Sequence, residues 1–155
     1  MSRKIKREIR VDNTGGKVFK ALVTPSTVKK WWGASQVIIV PDEGGTYALS
    51  WGDDIDKPEY VATAKIDSFK PNVELHLTDY TYLKGEEYLP FKAHFRVEFK
   101  VECYNNYCIL VVTHSGFPKD KKADSFYNEC IVGWDETLEN LKELIEKDTV
   151  KIPGK

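Results

Sequence analysis

The segment from Lys122 to Lys147, which closes on Gly133-Trp134-Asp135-Glu136-Thr137-Leu138-Glu139-Asn140-Leu141-Lys142-Glu143-Leu144-Ile145-Glu146-Lys147, decides the fold. At about 100° per residue, Ala123, Tyr127, Cys130, Trp134, Leu138, Leu141 and Ile145 share one stripe, and Asp135, Glu136, Glu139, Glu143 and Glu146 lie opposite. The spacing predicts an amphipathic helix over 122–147 with a core face. At about 1.5 Å per residue it reaches roughly 35–40 Å, enough to cross a small domain, so its natural partner is a sheet that wraps it. Gly133 interrupts the pattern. A glycine inside a helix costs about 1 kcal/mol relative to alanine, so it calls for close approach of a strand or loop, unless it is simply tolerated.

Everything between a pair of short helices near the start and that long helix reads as an antiparallel meander. From Phe91 to Cys103, the residues Phe91, Ala93, Phe95, Val97, Phe99, Val101 and Cys103 alternate with Lys92, His94, Arg96, Glu98, Lys100 and Glu102. One face is apolar and the other charged, as in a sheet packed on one side and wet on the other. Tyr104-Asn105-Asn106-Tyr107 turns the chain into a last strand, Cys108 to Ser115, and Gly116-Phe117-Pro118 leads to the helix. Earlier strands are predicted at Ile5 to Val11, Gln36 to Val40, Thr46 to Trp51, Tyr60 to Phe69 and Val73 to Tyr80. Two short helices follow the first strand. Val18, Phe19 and Leu22 have helical spacing; Thr24 is placed to cap a second helix with Pro25 in its first position, Val28 and Trp31 on its inner face, and Gly33 at its end.

The composition narrows the class. With 155 residues, 41% hydrophobic and 30% charged, the chain is expected to form one domain over 1–155 that buries about 68–70% of the surface its unfolded form exposes. A formal net charge of −1 with mixed signs gives no electrostatic footprint for nucleic acid or an anionic membrane. Cys103, Cys108 and Cys130 lack metal-ligand spacing and are read as small apolar core residues. No signal-like run and no membrane span of about 20 apolar residues is found, so a cytoplasmic location is expected.

The order strand, helix pair, meander, long helix gives an α+β fold in which a curved antiparallel sheet closes around a C-terminal helix. It resembles the helix-grip fold of the START-like (SRPBCC) superfamily. Within it, four sets of residues are similar to the branch of homologues of the activator of the ninety-kilodalton heat-shock chaperone ATPase. They are Val18-Phe19-Lys20-Ala21-Leu22 with Pro25 and Lys30-Trp31-Trp32-Gly33; Gly44-Gly45-Thr46-Tyr47; Val112-Thr113-His114-Ser115-Gly116-Phe117; and Gly133-Trp134 with Leu138, Leu141 and Lys142. The resemblance implies the fold and a cavity between sheet and long helix. It carries over no catalytic set, and the authentic chaperone activators have an additional domain that a single domain here lacks.

The candidate cavity residues are Tyr47, Leu49, Trp51, Phe95, Val97, Phe99, His114, Tyr127, Cys130 and Trp134. Each has two readings: lining of an apolar pocket suited to a lipid, a polyketide or another ring compound, or plain core. His94 falls on the charged face, and His76 is assigned to the wet face it shares with Glu74, Thr78 and Tyr80. His114 is placed near a cavity mouth, where a structural hydrogen bond and an acid–base role are both open. No metal set, cofactor motif, nucleophile elbow or phosphate loop is present in the sequence, and no catalytic residue is assigned. The leading expectation is a small domain that binds a hydrophobic or amphipathic small molecule. A cyclase- or hydrolase-like enzyme using the same cavity and a chaperone-associated interaction module are the alternatives.

Overall fold

A computed structural model of the chain describes residues 2–150, with side chains described through residue 147. The elements run β1 (Ser2–Val11), α1 (Gly15–Val23), α2 (Pro25–Trp32), β2 (Gln36–Ile39), β3 (Thr46–Trp51), β4 (Tyr60–Lys70), β5 (Glu74–Lys84), β6 (Glu87–Tyr88), β7 (Phe95–Cys103) and β8 (Cys108–Pro118). A 3-10 turn at Lys121–Ala123 then leads into α3 (Asp124–Val150). The strands form one antiparallel sheet in the order β1-β8-β7-β5-β4-β3-β2, with the short β6 paired to β5. This is the expected α+β helix-grip arrangement.

Alternation decides which face of the sheet is covered. Phe95, Val97, Phe99 and Val101 on β7 and Leu110, Val112 and His114 on β8 point inward and are buried, while Lys100 and Glu102 remain exposed. The helix pair closes one end of this core. Trp31 Nε1 donates to the Ala21 carbonyl at 2.8 Å and the Tyr47 hydroxyl to the Leu22 carbonyl at 2.7 Å, so two buried aromatics also satisfy carbonyls at the end of α1. Along the far edge, α3 is tied to β1 by Arg3–Asp124 and Arg7–Asp135 ion pairs, both 2.8 Å, and by Lys142 Nζ donating to the Arg10 carbonyl at 2.7 Å.

Several expectations are corrected. The seventh strand starts at Phe95 rather than Phe91, since residues 91–94 carry no ladder pairs despite their alternation. On β5 the register shifts between Leu77 and Tyr80, where Asp79 adopts a left-handed φ of 52°. That bulge reverses the phase, so Tyr80 is buried inside instead of sharing the outer face with His76. A second bulge prolongs β8 beyond Ser115: Gly116 has φ 97°, and Phe117 rather than Gly116 turns inward. Thr24 makes no side-chain cap; Thr14 caps α1 by accepting from the Lys17 amide, and the Thr27 hydroxyl donates to the Thr24 carbonyl. At the start of α3 the buried stripe passes through Ala123 and Phe126, leaving Tyr127 only half-buried.

The cysteines are also reassigned. Cys103 and Cys108 are the last partners of the β7–β8 ladder, with Cα atoms 4.0 Å apart, and they form a disulfide, leaving Cys130 as the free thiol. Directly opposed residues of an antiparallel pair are close neighbours, so the hairpin pairing, invisible in a count of three, brings the sulfurs together. Among the described residues, no helix is long and apolar enough to cross a membrane.

Candidate functional site

Between the inner sheet face and α3 lies a cleft of about 430 Å³. Trp32 comes from the end of α2, Trp51 from β3, Tyr80 and Tyr82 from β5 and His114 from β8. From α3 come Phe126, Cys130, Gly133, Trp134 and Thr137, and Glu59, Tyr60 and Glu129 complete the lining. Each arrives by a local rule: Tyr80 and Tyr82 face inward because of the Asp79 bulge, and the α3 residues recur at helical spacing. The walls interlock. Trp32 packs on Trp134 with ring centroids 5.2 Å apart and on Trp51 at 6.3 Å, and Trp51 Nε1 donates to the Trp32 carbonyl at 3.1 Å. Tyr82 meets Phe126 at 4.9 Å.

Four of the ten residues singled out from the sequence, Trp51, His114, Cys130 and Trp134, come together on this lining. Tyr47, Leu49, Phe95, Val97 and Phe99 belong to the buried core instead. Tyr127 lies elsewhere: its hydroxyl donates to the Lys4 carbonyl at 3.2 Å, its ring packs on Phe117, and the Arg3 guanidinium stacks over it at 4.6 Å. Sequence reasoning missed Trp32, Tyr80, Tyr82 and Phe126. For the tyrosines a signal existed, because the apolar positions Leu75 and Leu77 jump by three to Tyr80 before resuming at Tyr82.

Gly133 has a different role from the one expected. Among the described residues no strand approaches it; a Cβ built there would meet none of them within 4 Å, so the missing side chain leaves the cleft open beside Trp134.

Away from the rim, burial holds the titratable groups of the cleft neutral. Burial pushes the Tyr80 and Tyr82 phenols well up, and the Cys130 thiol up to about 12. His114 is 3% exposed, surrounded by Phe95, Phe117, Tyr80 and Trp134, and burial lowers its pKa to about 3. Its Nδ1 accepts from Trp134 Nε1 at 3.0 Å, in mid-strand, not at a strand end as the sequence suggested. Rim charge is acidic, from the exposed Glu59 and Glu129. His76 sits on the outer face, its Nδ1 3.3 Å from Arg96 Nη2 and its nitrogens 3.6 and 3.7 Å from the Glu74 and Glu98 carboxylates. Among the described residues, no group of three or more His, Cys, Asp and Glu side chains is arranged to hold a metal ion.

The buried imidazole makes stability depend on pH in a defined direction. An unfolded histidine takes up a proton near pH 6.5 but the folded one only near 3, so stability is full above about 6.5 and is lost as pH falls between these values. Wild type should lose about 2–3 kcal/mol more than His114→Phe between about pH 7 and about pH 4.5. Denaturant titrations at both pH values measure this; equal losses in the two proteins would show that His114 is not held neutral in the core.

A curved antiparallel sheet with a long C-terminal helix across it, and a cleft between the two, defines a START-like protein of the helix-grip class. The sequence profile of the family described as Activator of Hsp90 ATPase homolog 1-like protein matches residues 14–146, and the chain belongs to that family. Among solved structures it is similar to protein MLL2253 from Mesorhizobium loti, at 22% identity and TM-score 0.75, over 94% of this chain and 98% of that one. It is similar to the Aha1 protein of Colwellia psychrerythraea, whose solution structure is a dimer, at 20% identity and TM-score 0.73, over 93% and 96%. It also resembles DynU16, from the dynemicin biosynthetic locus, at 15% identity and TM-score 0.72, over 92% of this chain and 47% of that one. At these identities the likeness shows the fold. A comparison with curated proteins returns no match.

Proposed function

We propose that this chain, as a single START-like domain over 1–155, binds one apolar or amphipathic small molecule in the cleft between β3, β5 and α3. The observation that carries this reading is Gly133. On the inward side of a 27-residue helix, the one residue without a side chain stands beside Trp134, where none of the described residues occupies the space it leaves. A filled core would favour a larger residue there, and the helix itself would favour one by about 1 kcal/mol. The volume of about 430 Å³ and the aromatic lining suit a ring compound.

An environment-sensitive apolar dye is expected to bind the folded protein saturably, with one site per chain. Gly133→Leu, which fills the space while improving helix propensity, should weaken that binding at least about tenfold and leave stability equal or higher. Undiminished binding by the folded variant would overturn the assignment of the cleft.

The family description favours a second reading, action on a chaperone ATPase. With charges of both signs mixed along its sequence, the START-like domain by itself is expected not to stimulate that ATPase. A coupled ATPase assay decides, and clear stimulation at micromolar protein would favour the cochaperone reading over the binding one.

A further inference from the structure

The proposed cleft contains one polar atom whose chemistry is fixed by its neighbours. An indole N–H only donates, so the 3.0 Å bond from Trp134 Nε1 requires His114 Nδ1 to be an unprotonated acceptor. In a neutral imidazole the remaining proton is then on Nε2. Among the described residues Nε2 is buried without a hydrogen-bond partner, although His114 lines the cleft. A buried donor without an acceptor is a costly arrangement, and it becomes favourable when a guest supplies the acceptor. The rest of the lining excludes charge of one sign: Glu59 and Glu129 stand at the rim, and among the described residues no lysine or arginine lines the cleft.

Resting on the binding reading above, we propose that the cleft selects uncharged ring compounds that carry an acceptor oxygen, such as an aromatic ketone or quinone, and that His114 Nε2–H donates the hydrogen bond that orients them. Anionic ring compounds are rejected, because the imidazole stays neutral and the rim is acidic. Trp134 is the positioning residue that holds the tautomer.

Three probes of the same size separate the possibilities: methyl naphthyl ketone, ethylnaphthalene and naphthoate. Wild type is expected to bind the ketone more tightly than the hydrocarbon and naphthoate more weakly than both. In His114→Phe the ratio of ketone to hydrocarbon affinity should fall about tenfold, the ratio cancelling any change in the cleft that affects both probes alike. If both neutral probes bind but the ratio is the same in the two proteins, or naphthoate binds as well as the ketone, this inference falls and the cleft reading stands. If neither neutral probe binds wild type, both fall. Should His114→Phe fail to fold, nitrogen-15 spectra of histidine in the wild-type protein give the answer directly. The expected result is an Nε2–H tautomer whose proton signal moves downfield with the ketone and not with ethylnaphthalene; an Nδ1–H tautomer, or no shift with bound ketone, overturns the proposal.

Discussion

Trp134→Ala should destabilise the protein by about 3–5 kcal/mol, a large share of the roughly 5–15 kcal/mol that holds a domain of this size together. The indole is 5% exposed and packs against Trp32 and against Phe99 at 5.9 Å, so truncation removes one wall shared by the cleft and the core. It also takes away the donor to His114 Nδ1, leaving a second unsatisfied nitrogen on the same buried ring. The cleft offsets part of the cost, since space already exists on one side and less new cavity is made, which favours the lower half of that range. Urea unfolding followed by circular dichroism gives the value, and an unchanged midpoint would mean that Trp134 does not join helix to sheet.

An effect of similar size is expected from Gly116→Ala, for a different reason. The backbone there has φ 97°, which L side chains rarely adopt, and a Cβ would overlap the His94 carbonyl oxygen and crowd the Phe95 Cα. Relief requires β7 and β8 to part just beyond the Arg96–Ser115 pair that ends their ladder, where the buried Phe95 and Phe117 rings pack on each other, so a loss of at least about 3 kcal/mol is expected. Gly133→Ala is the matched control. Its backbone is helical and its surroundings empty, so the same added methyl should stabilise by up to about 1 kcal/mol. Opposite signs for the two substitutions in denaturant titrations would support both assignments; a neutral Gly116→Ala would refute the bulge as the reason for that glycine.

These two glycines also mark what the sequence could and could not convey. The long helix was legible because its stripe repeats for about six turns, and the clearest strand because its alternation is unbroken from Phe95 onward. Strand β8 was cut short, since a bulge at Gly116 looks like a turn to a reading that expects strict alternation. The same limit hid the tyrosines of the cleft: one inserted residue at Asp79 moved Tyr80 and Tyr82 from the outer face to the inner one. Tyr47, Leu49 and Phe99 were recognisable as interior but not as core rather than cleft lining, because alternation gives the face and not the depth. The disulfide depended on which strand pairs with which, and His114 on where α3 sets Trp134. Both are contacts distant in sequence or set by register, and local pattern is silent about them.

The position of a bound apolar guest tests the cleft most directly. Protein labelled with nitrogen-15 and carbon-13, titrated with methyl naphthyl ketone, gives nuclear Overhauser contacts between ligand and protein protons. Contacts to Trp32, Tyr82, Phe126 and Trp134, absent at Tyr47, Leu49 and Tyr127, are the predicted result. Contacts confined to Tyr127 or to the groove of Lys20, Thr27 and Leu144 between α1, α2 and α3, or no bound ligand at all, would contradict it.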